Sequence, residues 1–259
     1  MQVRILGARQ GESSRSHFSS ILVDGALALD AGSLTSVLTL QEQAGVDNVL
    51  LTHQHFDHIK DLASLGFNRL RRGQVGIHCT PEVRAAVDAT VLNPAIWLNF
   101  FALPSPEQPT FVYTPVHPGQ CFNVAGYQVR PISVRHAVPA VAYAITSPTG
   151  GALLYTGDSG RGSGAGWASA RADLIITEVT YCNADTALAA EYGHLSPDLL
   201  VQELERFRHT QGYLPRVAIT HVNPYYESQI ADEVAAVAHH LSADIWLPDE
   251  GSIITIGPG

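Results

Sequence analysis

Three histidines and an aspartate lie within six residues, directly after an apolar run: His53, His55, Asp57 and His58. Imidazole nitrogens and carboxylate oxygens are ligands that suit transition-metal ions. The apolar run predicts the end of a buried strand, from which His53 and His55, two residues apart, point to one side. The residues after His58 have helical spacing, which turns Asp57 and His58 toward a second ion. The segment therefore predicts a site for two metal ions.

The pattern His-x-His-x-Asp-His resembles the signature of the metallo-β-lactamase superfamily. Three later residues, each after a strand-like run, match further elements of that superfamily in order: His136, Asp158 and His221. The resemblance implies two divalent metal ions, with His53, His55 and His136 on the first, Asp57, His58 and His221 on the second, and Asp158 bridging both. Zinc is the expected metal, although manganese and iron accept the same ligands.

The resemblance also implies the fold. It is an α/β fold, the αβ/βα four-layer sandwich of two mixed β-sheets with outer helices. Residues 21–32 predict two of its strands about a tight Asp24-Gly25 turn, ending at Asp30. In the superfamily an aspartate at this position supports the metal loop, whereas the local sequence fits a turn cap equally well.

Length and composition are those of one domain. The 259 residues are 46% hydrophobic and contain no linker, so we expect a single metallo-β-lactamase-fold hydrolase domain over residues 1–259. Glycines crowd residues 160–166, and we expect a mobile rim of the site there. A cytoplasmic protein is expected, because the amino terminus lacks a signal-peptide core, no segment is long enough to cross a bilayer, and the three cysteines are odd in number.

The paired ions imply hydrolysis. Two divalent ions about 3.5–4 Å apart can share a hydroxide at neutral pH and stabilise charge on an attacked ester or phosphoryl group. Glu178 and the run His194-Leu195-Ser196 resemble the phosphodiesterase branch of the superfamily, which includes RNase Z and class II cyclic nucleotide phosphodiesterases. We therefore expect Asp57, Glu178 and His194 to be catalytic, with His194 as the proton donor. A helix start at Ser196-Pro197 is the competing interpretation, but it leaves His194 unexplained.

The leading function is hydrolysis of a 3′,5′-cyclic nucleotide to the 5′-monophosphate by a metal-bridging hydroxide. RNase Z enzymes carry an inserted arm between the elements that match His136 and Asp158. In this chain the same interval has only the length of a hairpin, so the arm is expected to be absent. The net charge of −9 also disfavours a stable nucleic-acid partner. The alternatives are an RNase Z-like tRNA 3′-processing endonuclease, a lactone or carboxylic-ester hydrolase on the same metals, and a non-catalytic metal-binding module.

Some features stay open at this level. Relatives in the phosphodiesterase branch are commonly homodimers, but the sequence does not give the oligomeric state. The basic cluster Arg69, Arg71 and Arg72 fits a solvated helix end or a patch that attracts a phosphate. The aromatic segment from Trp97 to Phe101 fits a core helix face, a stacking lid over the substrate or a dimer contact.

Overall fold

A computed structural model describes residues 1–257, in which two seven-stranded β-sheets pack face to face with helices on both outer faces and two further short strands pair with each other. The strands are β1 (Gln2–Gly7), β2 (Ser20–Val23), β3 (Leu27–Leu29), β4 (Asn48–Leu50), β5 (Val75–Cys79), β6 (Pro104–Ser105), β7 (Gln108–Pro109), β8 (Phe111–Pro115), β9 (Phe122–Val124), β10 (Tyr127–Val134), β11 (Ala140–Thr146), β12 (Ala152–Tyr155), β13 (Leu174–Glu178), β14 (Arg216–Thr220), β15 (Ile245–Trp246) and β16 (Ile253–Thr255). The helices are α1 (Leu34–Val37), α2 (Leu40–Gln43), α3 (Phe56–Ile59), α4 (Leu62–Arg69), α5 (Pro81–Ala89), α6 (Gly164–Trp167), α7 (Thr186–Tyr192), α8 (Pro197–Gln211) and α9 (Glu227–Leu241), with a 3₁₀ turn over Asn183–Asp185.

Both large sheets are mixed, as predicted. The first has the order β16-β1-β2-β3-β4-β5-β8, antiparallel from β16 to β3 and parallel from β3 to β8. The second has the order β15-β14-β13-β12-β11-β10-β9, antiparallel from β9 to β12 and parallel from β12 to β15. The carboxyl ends of parallel strands meet at one edge of a sheet, which is where ligands bind in such sheets.

Strand alternation sorts the apolar residues into three layers of core. In β3, Leu27 and Leu29 face the second sheet, and Ala28 between them faces the helices of the first sheet. The second sheet packs its other face on α6, α8 and α9, where Trp167 and Phe207 are fully buried. The predicted αβ/βα sandwich is therefore confirmed.

Most local predictions hold. The chain turns at Asp24-Gly25, both residues having a positive φ, between β2 and β3. The side chain of Ser196 accepts from the Leu199 amide and caps α8, with Pro197 at its first position. After His58, however, the expected continuous helix is divided into α3 and α4.

Two expectations about exposed segments hold only in part. Residues 160–163 are irregular, as expected, but Gly164–Trp167 is the short helix α6, in which Gly164 and Trp167 are buried. Of the basic cluster, Arg71 and Arg72 are exposed, as a solvated helix end requires, whereas Arg69 is 4% exposed and its Nη1 donates to the carbonyls of Gln43, Ala44 and Val46. Its guanidinium closes the end of α2 and is not available to a phosphate.

The segment from Trp97 to Phe101 is irregular and does not form the helix that one interpretation expected, although Phe100 is buried against Phe111; Trp97 is partly exposed. None of the helices between residues 1 and 257 has the length and apolar character that a membrane-spanning segment needs.

Candidate metal centre

The predicted ligands come together at the edge where the parallel strands of both sheets end. Asp30 follows β3, the histidine motif follows β4, Asp158 follows β12 and His221 follows β14. Asp30 and His221 have φ values of 58° and 54°, in the left-handed region that non-glycine residues rarely adopt. Backbone strain of this kind concentrates at functional sites, because the surrounding structure must hold it there.

All seven predicted ligands fall into two adjoining groups. His53, His55, His136 and Asp158 each offer one ligand atom within 4.8 Å of the others, and so do Asp57, His58 and His221. Asp158 stands between the groups. Its Oδ2 lies 3.6 Å from His53 Nε2 and 3.4 Å from His221 Nε2, and its Oδ1 lies 3.2 Å from His58 Nε2. A carboxylate in this position can contact two ions at once.

Neighbouring residues fix which nitrogen of each ligand histidine carries hydrogen. His58 Nδ1 lies 2.8 Å from Asp30 Oδ2, and His136 Nδ1 lies 2.9 Å from the Gly193 carbonyl, both of which only accept. Gly193 can approach so closely because it has no side chain and a φ of 74°. We therefore assign the hydrogen to Nδ1 in both rings, which leaves Nε2 bare in the neutral state.

Two threonines fix the position of the ring hydrogen in His53 and His221. Thr52 Oγ1 donates its only hydrogen to Asp30 at 2.8 Å, so it must accept from His53 Nδ1 at 3.0 Å. Thr180 Oγ1 likewise donates to a carboxylate, Glu178, at 2.6 Å and accepts from His221 Nδ1 at 2.8 Å. In all four rings Nε2 then faces inward without a hydrogen, as metal-bound histidines require.

The inward-facing atoms lack the partners that buried polar atoms normally have. His53 Nε2, His58 Nε2 and Asp158 Oδ1 make no hydrogen bond within residues 1–257 although they are buried. His221 Nε2 lies 2.9 Å from Asp57 Oδ2, and His136 Nε2 lies 3.0 Å from His55 Nδ1. Lone pairs that face each other at these distances repel unless a cation or a proton lies between them. The residues therefore fit metal ions.

The charges of the cluster agree with this fit. Burial holds the pKa of His53 well below its usual range, so this ring is neutral. Burial opposes ionisation of Asp57, but the neighbouring His58 and His221 outweigh it and lower its pKa to about 2. Burial also opposes a charge on His58, yet Asp158, Asp57 and Asp30 raise its pKa well above the usual value. A metal ion would displace that proton.

Glu178 and His194 form a buried pair beside the two groups. Both carboxylate oxygens of Glu178 lie close to His194 Nδ1, at 2.9 and 3.0 Å. The His194 ring stacks on His221 and meets His136 edge to face. His194 Nδ1 is thus engaged by Glu178, whereas its Nε2 makes no hydrogen bond among residues 1–257.

Burial opposes protonation of His194, but the carboxylates of Glu178, Asp158 and Asp57 outweigh it and raise its pKa to about 9. Glu178 also accepts from the Ser159 amide at 2.9 Å, next to the central aspartate. The carboxylate therefore connects His194, the Asp158 loop and, through Thr180, His221.

Three residues that the sequence reasoning missed support the ligands. Thr52 and Thr180 fix histidine tautomers as described, and the Tyr155 hydroxyl donates to Asp30 Oδ2 at 2.7 Å. Asp30 is therefore a support of the metal loop, as the resemblance implies, and not only a turn cap. The positions of Thr52, directly before the motif, and Thr180, two residues after Glu178, are the signals that could have pointed to them.

The chain matches a known family and known structures. The sequence profile of the beta-lactamase superfamily domain matches residues 20–221. No curated protein matches the sequence.

Among solved structures, the metallo-beta-lactamase fold protein YhfI from Bacillus subtilis is 20% identical, with a TM-score of 0.75 over 98% of this chain and 99% of that one. Yeast PDE1 is 18% identical, with a TM-score of 0.79 over 97% and 98% of the two chains. Human tRNase Z, short form, is 19% identical, with a TM-score of 0.70 over 99% of each. At such identities the likeness establishes the fold, and the predicted metallo-β-lactamase fold is confirmed.

Proposed function

Because this chain belongs to the beta-lactamase superfamily, we propose that it is a metal-dependent phosphodiesterase that opens a small nucleotide phosphodiester, with 3′,5′-cyclic nucleotides as the leading substrates. The observation that carries the proposal is the Glu178–His194 pair beside the two ligand groups. A ribose oxygen is a poor leaving group that needs a proton as its bond to phosphorus breaks. A lactone or an activated ester has less need of such a donor.

Two divalent cations, when held by the seven ligands, supply Lewis acidity and offset the negative charge of the phosphodiester. His194 holds a proton at Nε2 for the departing oxygen, and Glu178 keeps the ring oriented through Nδ1. The raised pKa of His194, about 9, keeps the ring protonated at neutral pH, and nearby cations would lower that pKa toward the working pH. After it gives up the Nε2 proton, the neutral ring keeps its Nδ1 hydrogen on Glu178.

A folded RNA fits this chain less well than a small phosphodiester. The interval between His136 and Asp158 contains only the hairpin of β11 and β12 with its connections. The net charge of −9 repels a polyanion, whereas a small monoanion escapes most of that repulsion. The fold neighbours yeast PDE1 and human tRNase Z are consistent with either substrate, so charge and the short hairpin favour the small one.

A substrate panel tests the proposal. Cyclic AMP, cyclic GMP, a linear dinucleotide, precursor tRNA and a lactone are compared on one zinc-loaded preparation, with chromatography of the products. We expect cyclic nucleotides to give the nucleoside 5′-monophosphate. Efficient cleavage of precursor tRNA, or turnover of the lactone alone, would overturn the assignment.

The proton donor is tested by His194→Ala. We expect this variant to keep its metal and to hydrolyse a ribose phosphodiester about 10²- to 10⁴-fold more slowly, the range for loss of a general acid. A p-nitrophenyl phosphodiester, whose leaving group needs little protonation, should lose much less. His240→Ala, an exposed histidine on α9, is the control and should match the wild type. Equal losses on both esters would assign His194 a structural role.

A further inference from the structure

A cavity of about 580 Å³ adjoins the predicted ligand His136. It is formed by the turn between β10 and β11, the segment after Asp158 and the end of α7. The charged side chains on its wall are Arg135, Arg161 and Glu191. His136 lines this cavity and its buried ring belongs to the candidate metal centre, so the cavity begins one residue away from the centre.

The two arginines have no partner among the described residues, whereas several other arginines of the chain form ion pairs. Arg9 binds Glu227 and Arg216 binds Asp244, for example. Within residues 1–257, by contrast, neither the Arg135 nor the Arg161 guanidinium makes a hydrogen bond or ion pair, although Glu191 lines the same cavity. Two guanidinium groups without partners are a concentration of positive charge, which is unusual against a net charge of −9.

The backbone that carries the arginines is fixed. The Gly160 amide donates to the Arg135 carbonyl at 2.6 Å, and the Arg135 amide donates to Ser163 Oγ at 3.1 Å. The Arg135 side chain lies along the segment that follows Arg161, since a Cβ at position 162 would stand 3.2 Å from Arg135 Nε. The buried Glu203 carboxylate accepts from the Gly162 amide at 2.7 Å and holds the same segment from behind. The backbone positions from which the two side chains project are therefore fixed.

Guanidinium groups bind phosphate and carboxylate through paired hydrogen bonds, and a cavity that presents two of them favours an anion. The metal centre is already the proposed binding site of the scissile phosphodiester. We infer that Arg135 and Arg161 form a subsite for a second anionic group of the substrate, so that the preferred substrate is a nucleotide phosphodiester that bears another phosphate. This inference rests on the proposed function and narrows its substrate class.

Binding tests the subsite apart from catalysis. Thymidine 3′,5′-bisphosphate and thymidine 5′-monophosphate are titrated by calorimetry into the zinc-loaded protein. We expect the wild type to favour the bisphosphate by about tenfold or more, as a charge-assisted contact provides. In the variant Arg135→Gln/Arg161→Gln this preference should fall close to one.

Two further double variants control for the general loss of positive charge and for the geometry of the guanidinium group. Arg206→Gln/Arg216→Gln removes two exposed arginines elsewhere and should keep the wild-type preference. Arg135→Lys/Arg161→Lys keeps the charge but not the paired hydrogen bonds, and should give an intermediate preference. A preference that is the same in the wild type and in all three variants would overturn the subsite.

Kinetics separates the subsite from the proposed function. Thymidine 5′-(p-nitrophenyl phosphate) and its 3′-phosphorylated counterpart differ only in the second anionic group, and we expect a lower KM for the latter in the wild type alone. If neither ester is hydrolysed but the arginines still set the binding preference, the proposed function fails and the subsite stands. If both are hydrolysed with no preference and no effect of the arginines, the subsite fails and the proposed function stands.

Discussion

At the scale of single residues, the hydroxyl of Thr180 sets which nitrogen of His221 faces the centre. It donates to Glu178 and accepts from His221 Nδ1, so the inward Nε2 is bare. We expect Thr180→Val, which keeps the shape and removes the hydroxyl, to weaken metal affinity about 10- to 100-fold, the usual effect of losing a partner of a ligand histidine.

The measurement is a zinc titration against a competing chelator. Thr177→Val is a matched control: Thr177 is buried on β13, three residues before Thr180, but its hydroxyl pairs with Thr156 at 3.0 Å and not with a predicted ligand. Equal affinity in the wild type and both variants would mean that the tautomer of His221 is set by something else.

The residues that gather at the candidate centre were predictable, and the residues that support them were not. The seven predicted ligands, Glu178 and His194 have reactive side chains at spacings that the sequence displays. Tyr155 reaches Asp30 across 125 positions of the chain, and Thr180 reaches His221 across 41. Such contacts exist only after the sheets have formed, so a local pattern could not reveal them.

At the scale of elements, Glu203 on α8 organises the glycine-rich segment. Its carboxylate is fully buried and accepts from the amides of Gly162 and Gly164, at the start of α6. Glycine content predicted a mobile loop, but a carboxylate placed by tertiary packing gives these amides a partner and fixes the turn. The local sequence could not reveal the burial of Arg69 either, because its carbonyl partners lie at the end of another helix, α2.

Replacing that carboxylate should be costly. We expect Glu203→Gln to lower the free energy of unfolding by about 1–3 kcal/mol, because a neutral amide has one acceptor atom where the carboxylate has two. Urea unfolding followed by circular dichroism measures this change. Glu205→Gln, on the exposed face of α8, should unfold like the wild type, and a Glu203→Gln protein that also does so would show that the segment does not depend on the carboxylate.

At the scale of the whole molecule, the two-sheet sandwich was predictable from the family resemblance that the signature residues and their order carry. The pairing of distant strands, such as β16 with β1, came from packing and has no local signal. The packing of the two sheets also buries a titratable side chain. His78 on β5 is buried, with its Nε2 2.9 Å from Asn48 Oδ1 and its ring stacked on Phe122.

Burial lowers the pKa of His78 to about 4, whereas an unfolded histidine titrates near its ordinary value. The unfolded chain therefore takes up this proton first as the pH falls. The contribution to stability is complete above about pH 6.5 and is lost on acidification toward about pH 4. Between pH 7.5 and 4.5 the wild type should lose about 2–3 kcal/mol more stability than His78→Gln, measured by urea unfolding at matched metal content. Parallel losses in the two proteins would contradict the burial effect, and His240→Gln should follow the wild type.

The metal content of the folded protein tests the central claim most directly. The wild-type chain is loaded with zinc, passed through a desalting column and analysed by inductively coupled plasma mass spectrometry. Two adjoining ligand groups that share Asp158 predict about two ions per chain. Fewer than about one ion for every two chains, in protein that circular dichroism shows to be folded, would contradict the dinuclear centre on which the proposed chemistry depends.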